Sequence, residues 1–237
     1  MAISVDLPVR EIVVEHPETI PVLEQLGIDY CCGGQHTLAE ACVNRGLSPA
    51  TVLEELDRRP QDTDAADNPW SEAKLKDLID YIVEKHHAFA RNQLELIRDL
   101  AAKVERRHGS NHPEIFEVSE AFAAISTELS HHFYCEESIL FPHIANLETG
   151  QPADVPSIPA SVQQPVSRMM MDHEHAGNEF RLLREITHDF QPPVDACTTY
   201  KALYRAMEDL ERDLHRHIHL ENNILFPRAL EEATKTA

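Results

Sequence analysis

The chain has 237 residues, with 41 acidic and 21 basic side chains and a formal net charge of −20. A surface of this sign repels nucleic acids and anionic membranes, so we expect neither as a partner. The chain has five cysteines, no long apolar run and a polar amino-terminal stretch, which predict a cytoplasmic protein without a leader peptide or membrane span. The length accommodates one helical bundle and one smaller domain.

The first predicted domain, residues 1–59, is small and helical. Apolar residues recur at helical spacing in three of its stretches, Val9 to Leu26, Thr37 to Arg45 and Ser48 to Leu56. Gly27 and Gly46 are the predicted stops of the first two helices. Residues 60–70, which are polar and contain proline, are predicted to be a flexible linker to the second domain.

Two adjacent cysteines lie between the first two predicted helices, in the sequence Cys31-Cys32-Gly33-Gly34. The glycines permit a bend that would expose both thiols near a helix N-terminus, where the pKa of a thiol falls and the reactive thiolate is favoured. We interpret the pair as a redox pair or as a transient acceptor of iron or nitric oxide. In the alternative interpretation, one cysteine packs in the core and the other has no role.

The other cysteines are predicted to take no part in this chemistry. Cys135 is next to Glu136 in sequence, but successive side chains on a helix point about 100° apart, so the thiol should not share a metal with that carboxylate. Cys42 and Cys197 are expected to be small buried hydrophobes.

The second predicted domain, residues 71–232, is a four-helix bundle, and the fold class of the whole chain is all-α. One long helix is predicted for Ser71 to His108 and another for Val166 to Phe190, while the remaining two end in a repeated motif. The proline-rich stretch Gly150 to Pro165 is the predicted crossover between the second and third helices.

The repeated motif, HxxxExxILFP, occurs at residues 132–142 and 217–227. In each copy the histidine and the glutamate are one helical turn apart, so the pairs His132–Glu136 and His217–Glu221 each share a helix face. An apolar stripe leads into both pairs, which places them in the core. Buried carboxylates are costly without a partner, so a cation between them is the favoured explanation. A hydrogen-bonded polar network is the alternative.

The other two helices are expected to supply further histidine ligands. His173 lies on the apolar stripe of the predicted helix Val166 to Phe190. In the first helix both His86 and His87 fall near the inner face, and periodicity alone leaves that choice open.

A set of four imidazoles and two carboxylates suits a di-iron or di-manganese centre in a helical bundle. The richness in histidine favours iron. We therefore expect two non-haem iron ions, bridged by Glu136 and Glu221 and open to an oxo or hydroxo bridge. Such a site has room for small exogenous ligands such as nitric oxide, dioxygen or peroxide.

Several motifs together resemble one family over nearly the whole chain. They are DYCCGG at 29–34, LIDYIVEKHH at 78–87, ELSHHFYCEESILFP at 128–142, DHEHAG at 172–177, ACTTYKALY at 196–204 and HIHLENNILFP at 217–227. These motifs resemble the bacterial iron-sulfur cluster repair di-iron proteins, the RIC family, in which a CCGG-containing domain precedes a hemerythrin-like bundle.

The resemblance implies specific site residues. The family's iron ligands correspond to His87, His132, Glu136, His173, His217 and Glu221, which selects His87 over His86. Two acidic residues near the irons correspond to Glu128 and Asp172, the second being an aspartate where the family usually has glutamate. Oxygen-carrying hemerythrins have five histidine ligands and an HxxxxD pattern, so reversible oxygen carriage is not expected.

Three functions follow from the resemblance. The favoured one is repair of iron-sulfur clusters damaged by nitrosative or oxidative stress, through donation of iron to client proteins with Cys31 and Cys32 as a thiol relay. The second is an enzyme that reduces nitric oxide or converts nitrite, with Glu128 and Asp172 handling protons. The third is a buffer or sensor of nitric oxide. The resemblance also implies a homodimer formed through the N-terminal domain.

Overall fold

A computed structural model of the chain describes residues 3–58, 69–148 and 162–235. Two compact units form, Met1–Leu78 with His215–Ala237, and Ile79–Leu214. The described residues contain helices and turns but no strand, which confirms the all-α fold class. None of the helices among them is both long and apolar enough to cross a membrane. The predicted linker lies largely outside the described residues, as does most of the predicted crossover.

The first unit begins with four short α-helices. They are α1 (Val9–Glu15), α2 (Ile20–Leu26), α3 (Leu38–Asn44) and α4 (Pro49–Asp57). The single helix predicted for Val9 to Leu26 is wrong in one respect, because a 3-10 turn, Pro17–Thr19, separates α1 from α2. Proline disfavours the helical conformation of the residue before it, and His16 accordingly has φ −133° and ψ 65°.

Local chemistry sets the ends of these helices. Gly27 ends α2 in the left-handed conformation, with φ 65°, as the sequence predicts. Thr37 begins α3 with a capping box, in which its side chain accepts from the backbone of Glu40 and the Glu40 side chain accepts from the backbone of Thr37. Buried side chains from all four helices then form one small core, consisting of Val9, Ile12, Val13, Leu23, Leu38, Cys42, Val52 and Leu56.

The last part of the chain belongs to this same unit. Arg216 donates two hydrogen bonds to the carboxylate of Glu24, each of 2.9 Å. The side-chain amide of Asn223 donates to the carbonyl oxygen of Tyr30 at 2.9 Å, and that of Asn222 to the carbonyl oxygen of Cys31 at 3.3 Å. The cysteine-containing turn is therefore held by side chains that lie about 190 residues later in the sequence.

In its described part, residues 79–148 and 162–214, the second unit contains four packed helical segments, as the bundle prediction requires. They are α5 to α6 (Leu75–Tyr81, Ala88–His108), α7 to α8 (Glu114–Cys135, Phe141–Leu147), α9 (Gln163–Thr187) and α10 (Thr198–Leu220), of which the ends at Leu75 and Leu220 fall in the first unit. Helix α7 packs against α6 and α9. An ion pair, Arg184–Glu211, joins α9 to α10, and His86 contacts Asp213 of α10 at 3.1 Å.

Among the residues that the structure describes, three π-helical turns interrupt the α-helices, and each contains a predicted ligand. The first, Ile82–His87, joins α5 to α6 and ends at His87. The second, Glu136–Leu140, follows α7, and the third, Glu221–Leu225, separates α10 from α11 (Phe226–Lys235). A π turn holds an extra residue, so the side chains beyond it are rotated relative to an uninterrupted α-helix. Such turns occur frequently at functional sites.

Candidate metal centre

Glu136 lies at the centre of a group of histidines in the unit Ile79–Leu214. Its side chain is fully buried. Its carboxylate oxygens lie 3.4 Å from His87 Nε2, 3.0 Å from His132 Nε2 and 3.9 Å from His173 Nε2. The three histidines come from three different helical segments, so tertiary packing brings them to one carboxylate.

The nitrogen atoms of these histidines converge. His132 Nε2 and His173 Nε2 lie 3.0 Å apart, and both rings are buried. The ligand atoms of His132, Glu136 and His173 all lie within 4.8 Å of one another. Imidazole nitrogen and carboxylate oxygen together suit iron, zinc and copper, so this cluster could hold a metal ion.

The ring of His87 is held from its other side. Its Nδ1 lies 2.6 Å from Glu137 Oε1, which also accepts from Arg91 at 2.7 Å. Burial opposes ionisation of Glu137, but the hydrogen bonds from His87 and Arg91 outweigh it and lower the pKa of that carboxyl. The ring also stacks on Phe133, with 4.4 Å between centroids. These contacts leave Nε2 directed at Glu136.

Sequence reasoning missed both Glu137 and Arg91. The available signal was weak: Glu137 directly follows a predicted ligand, and Arg91 lies one helical turn after another. A carboxylate that accepts from the far nitrogen of a metal-binding histidine is a recurrent arrangement, and it raises the basicity of the ligand.

Replacing Glu137 by glutamine is expected to weaken metal binding by roughly 10- to 100-fold, the usual effect of removing such an outer partner. The neutral amide is a poorer acceptor for His87 Nδ1 and no longer neutralises Arg91. The measurement is competition of the iron-loaded protein with a chelator. Glu120→Gln, a change at an exposed residue of the same helical segment, is the matched control and should leave the affinity as it is. Equal affinity in the two variants would contradict this role for Glu137.

The other predicted pair lies in the first unit. His217 Nε2 is 3.1 Å from Glu221 Oε1, and the two side chains are 1% and 0% exposed. His219, which lies between these two residues in the sequence, is also buried, and burial lowers its pKa to about 4. Its Nδ1 lies 2.9 Å from the Asn223 side chain, and its ring packs against Tyr30. The second motif copy therefore buries its histidine and glutamate as the first copy does.

The two predicted acidic neighbours differ in position. Asp172 Oδ2 lies 3.8 Å from His132 Nδ1, and Asp172 also pairs with Arg168 at 3.0 Å. For Glu128, which lies one helical turn before His132, a place near the ligands stays a prediction. Its half-exposed carboxylate pairs with His175 at 3.1 Å. Leu129 occupies the buried position of that turn, so the preceding side chain points about 100° away, toward the surface.

The cysteine pair also corrects an expectation. Cys31 is buried rather than exposed, and its Sγ lies 3.9 Å from that of the half-exposed Cys32. The neighbouring Cys32 thiol, burial and the Asp29 carboxylate raise the pKa of Cys31 well above its ordinary value. Asp29 accepts from the backbone N–H of both cysteines, at 3.0 and 2.9 Å, which places its negative charge beside them. The predicted low-pKa thiolate is therefore wrong for Cys31.

The remaining cysteines are all free thiols. Cys42 is completely buried, as predicted. Cys135 is half-buried, with His131 Nε2 3.5 Å from its sulfur. Cys197 departs from the prediction, because it is half-exposed and contacts His108 rather than packing in the core.

A helical bundle with buried histidine and glutamate side chains is typical of cation-binding helical proteins. Residues 77–229 match the family described as hemerythrin HHE cation binding domain, and residues 5–59 match ScdA_N, described as a domain of unknown function. The chain is 37% identical over 226 residues to the iron-sulfur cluster repair protein YtfE of Pectobacterium carotovorum, which covers 95% of this chain and 97% of the relative.

Two further relatives carry the same name. YtfE of Musicola paradisiaca is 36% identical over 223 residues, covering 93% of this chain and 94% of the relative. YtfE of Escherichia coli is 34% identical over 225 residues, covering 95% and 97%. The chain belongs to the family of YtfE iron-sulfur cluster repair proteins.

Proposed function

We propose that this protein repairs damaged iron-sulfur clusters in client proteins and that iron is the cargo it gives to them. The observation that carries this proposal is similarity over 95% of the chain to a relative named as an iron-sulfur cluster repair protein. The buried histidine and glutamate cluster supports it, because repair by donation needs a place to keep iron.

The proposed centre binds two irons. Its ligands would be His87, His132, Glu136, His173, His217 and Glu221. Two observations support this set. The cation-binding family spans residues 77–229 and so includes all six residues in one domain. Both glutamates are fully buried, and each begins a π turn directly after a helix that carries its histidine.

The donor set fits iron that must be released. Four neutral imidazoles and two carboxylates leave a pair of ferrous ions with net positive charge, whereas a cage dominated by carboxylates would hold them more firmly. When bound, the two irons would supply exchangeable, redox-capable metal. The protein's own residues orient the ligands: Glu137 fixes the ring of His87, and burial excludes water from Glu136 and Glu221.

In this proposal Cys32 is the thiol that first contacts an iron that is bound to a client or is leaving the metal centre. It is half-exposed, whereas Cys31 lies beneath it and is buried. Their sulfur atoms are 3.9 Å apart, close enough for both to contact one iron in turn. Nitric oxide as a ligand, a homodimer and a cytoplasmic location stay predictions.

The double variant Cys31→Ser, Cys32→Ser is expected to keep its iron but to lose most of its repair activity, because no buried histidine or glutamate of the cluster is changed. Iron content by mass spectrometry and recovery of client activity are the two measurements. Cys42→Ser, at a cysteine outside the pair, is the control. Normal repair by the double variant would show that the thiol relay is wrong.

An anaerobic transfer assay tests the function itself. The iron-loaded protein is mixed with an enzyme whose [4Fe-4S] cluster has been destroyed by nitric oxide, and client activity is followed with the iron left on the donor. Recovery of the client with matching loss of donor iron is the expected result. A client that stays inactive while the protein keeps its iron would overturn the proposal, and sustained consumption of nitric oxide with an electron donor would indicate the enzyme instead.

A further inference from the structure

A cysteine and a histidine contact each other at the start of α10, and neither takes part in the proposed function. Cys197 directly precedes α10, and its carbonyl oxygen accepts from the backbone N–H of Lys201 at 3.1 Å, so it is the residue that caps the helix. His108 is the last residue of α6. Its Nε2 lies 3.1 Å from Cys197 Sγ. The two residues are 89 positions apart in sequence, so the packing of the bundle brings them together.

Several donors surround the sulfur. The backbone N–H of Tyr200, the His108 imidazole and the backbone N–H of Thr199 all donate to it. These hydrogen bonds outweigh burial and lower the pKa of Cys197 to about 7. A thiolate at the start of a helix also interacts favourably with the helix dipole.

Three other ionisable groups near this position are paired with one another. His112 Nε2 lies 2.9 Å from Asp195, and its Nδ1 lies 2.9 Å from Glu114. The hydrogen bond from His112 lowers the pKa of Asp195, and the two carboxylates raise the pKa of His112. The contacts of His112 with both carboxylates offset part of the local negative charge. Tyr200, whose ring packs against His108, completes the surroundings.

We propose that Cys197 is a reactive thiol that is modified by low-molecular-weight disulfides of the glutathione type, with His108 receiving the thiol proton. The thiolate sulfur of Cys197 attacks one sulfur of the small disulfide. A new S–S bond forms, the disulfide's own S–S bond breaks, and the departing thiolate takes the proton from His108. The balance is one protein thiol and one disulfide giving one mixed disulfide and one free thiol.

The expected rate follows from ordinary thiol chemistry. At pH 7 about half of a thiol with a pKa near 7 is thiolate, against roughly 3% for an ordinary cysteine with a pKa of about 8.5. The weaker nucleophilicity of the more acidic thiol offsets part of that gain. Exchange at Cys197 should therefore be roughly threefold faster at pH 7 than at an ordinary exposed cysteine, with a plateau reached at lower pH.

The first test is the pH profile of alkylation by iodoacetamide, measured on the iron-loaded full chain and resolved by cysteine with mass spectrometry. The midpoint for Cys197 is expected near pH 7. Cys42 is the internal negative control, because it is completely buried and burial raises its pKa, so it should not be alkylated in the folded protein. A midpoint for Cys197 at the ordinary value of about 8.5 or above would overturn the proposal.

The second test uses three variants, both in exchange with glutathione disulfide at pH 7 and in the alkylation pH profile. Cys197→Ser, whose hydroxyl can still cap α10, should lose the mixed disulfide found at this position in the unmodified sequence. His108→Gln should raise the midpoint of Cys197 by about one pH unit, since it removes an imidazole donor. The control, His36→Gln, changes an exposed histidine that contacts Glu40, and should leave the midpoint unchanged.

Two results of the second test would overturn the proposal. One is the absence of a mixed disulfide at Cys197 in the unmodified sequence. The other is a midpoint that does not move in a folded His108→Gln variant. The pH profile of the unmodified sequence decides the question by itself if that variant does not fold.

Discussion

Replacing Glu136 by alanine is expected to remove most of the iron that the protein binds. Its carboxylate lies within 3.9 Å of nitrogen atoms from His87, His132 and His173, so one substitution removes the oxygen ligand around which all three histidines are grouped. The loss of affinity should exceed the roughly 10- to 100-fold caused by removing an outer partner. The measurement is iron per chain after anaerobic loading and gel filtration.

The control for this substitution is Glu128→Ala. Glu128 lies two turns earlier on the same helical segment, but it is exposed and pairs with His175, so its removal should leave the iron in place. Full iron content in Glu136→Ala would contradict the proposed bridge. Glu221→Ala tests the second copy of the motif in the same way, and equal losses in the two variants would support a shared pair of irons.

Replacing Arg184 by methionine is expected to lower the free energy of unfolding by about 2 to 3 kcal/mol. This value is at the low end for breaking a buried ion pair, because the Arg184 side chain is 34% exposed. Its guanidinium holds the carboxylate of Glu211 through contacts of 2.9, 2.8 and 2.6 Å. Glu211 is only 4% exposed, so the substitution leaves a buried carboxylate without its cation. Urea unfolding followed by circular dichroism measures the change.

Two further variants sharpen this experiment. Arg212→Met removes an arginine that pairs with Glu208 and Asp209 on an exposed surface, and should cost at most about 0.5 kcal/mol. Adding Glu211→Leu to Arg184→Met should restore much of the stability, because the uncompensated charge is then gone. A loss from Arg184→Met as small as that from Arg212→Met would show that the pair contributes little.

Periodicity predicts the long helices because apolar residues mark a buried face regardless of what that face contacts. Leu94, Ile97 and Ala101 are buried as their spacing indicates, and both HxxxE pairs are buried for the same reason. Whether these pairs bind metal stays a prediction. The break at Pro17 was visible in the sequence, but the apolar spacing continued across it and favoured a single helix.

Spacing along one helix does not identify the side-chain partners that come from other elements. A helical wheel gives the direction of Glu128 but not the presence of His175 on a neighbouring helix, and it gives no reason to select Glu137. The burial of Cys31 depends on a turn that Asp29 organises through two backbone N–H groups. The contact between Cys197 and His108 depends on where two helix ends meet, which spacing along one helix does not encode.

The pairing of the two ends of the chain within one unit has a consequence for protein synthesis. Glu24 and Tyr30 leave the ribosome early, whereas their partners Arg216 and Asn223 follow only after residues 79–214 have been made. At about 5 to 20 residues per second that interval is roughly 10 to 40 seconds. Residues 79–214 can form their own contacts during this interval. A chain that ended before residue 215 would leave its first domain without these partners.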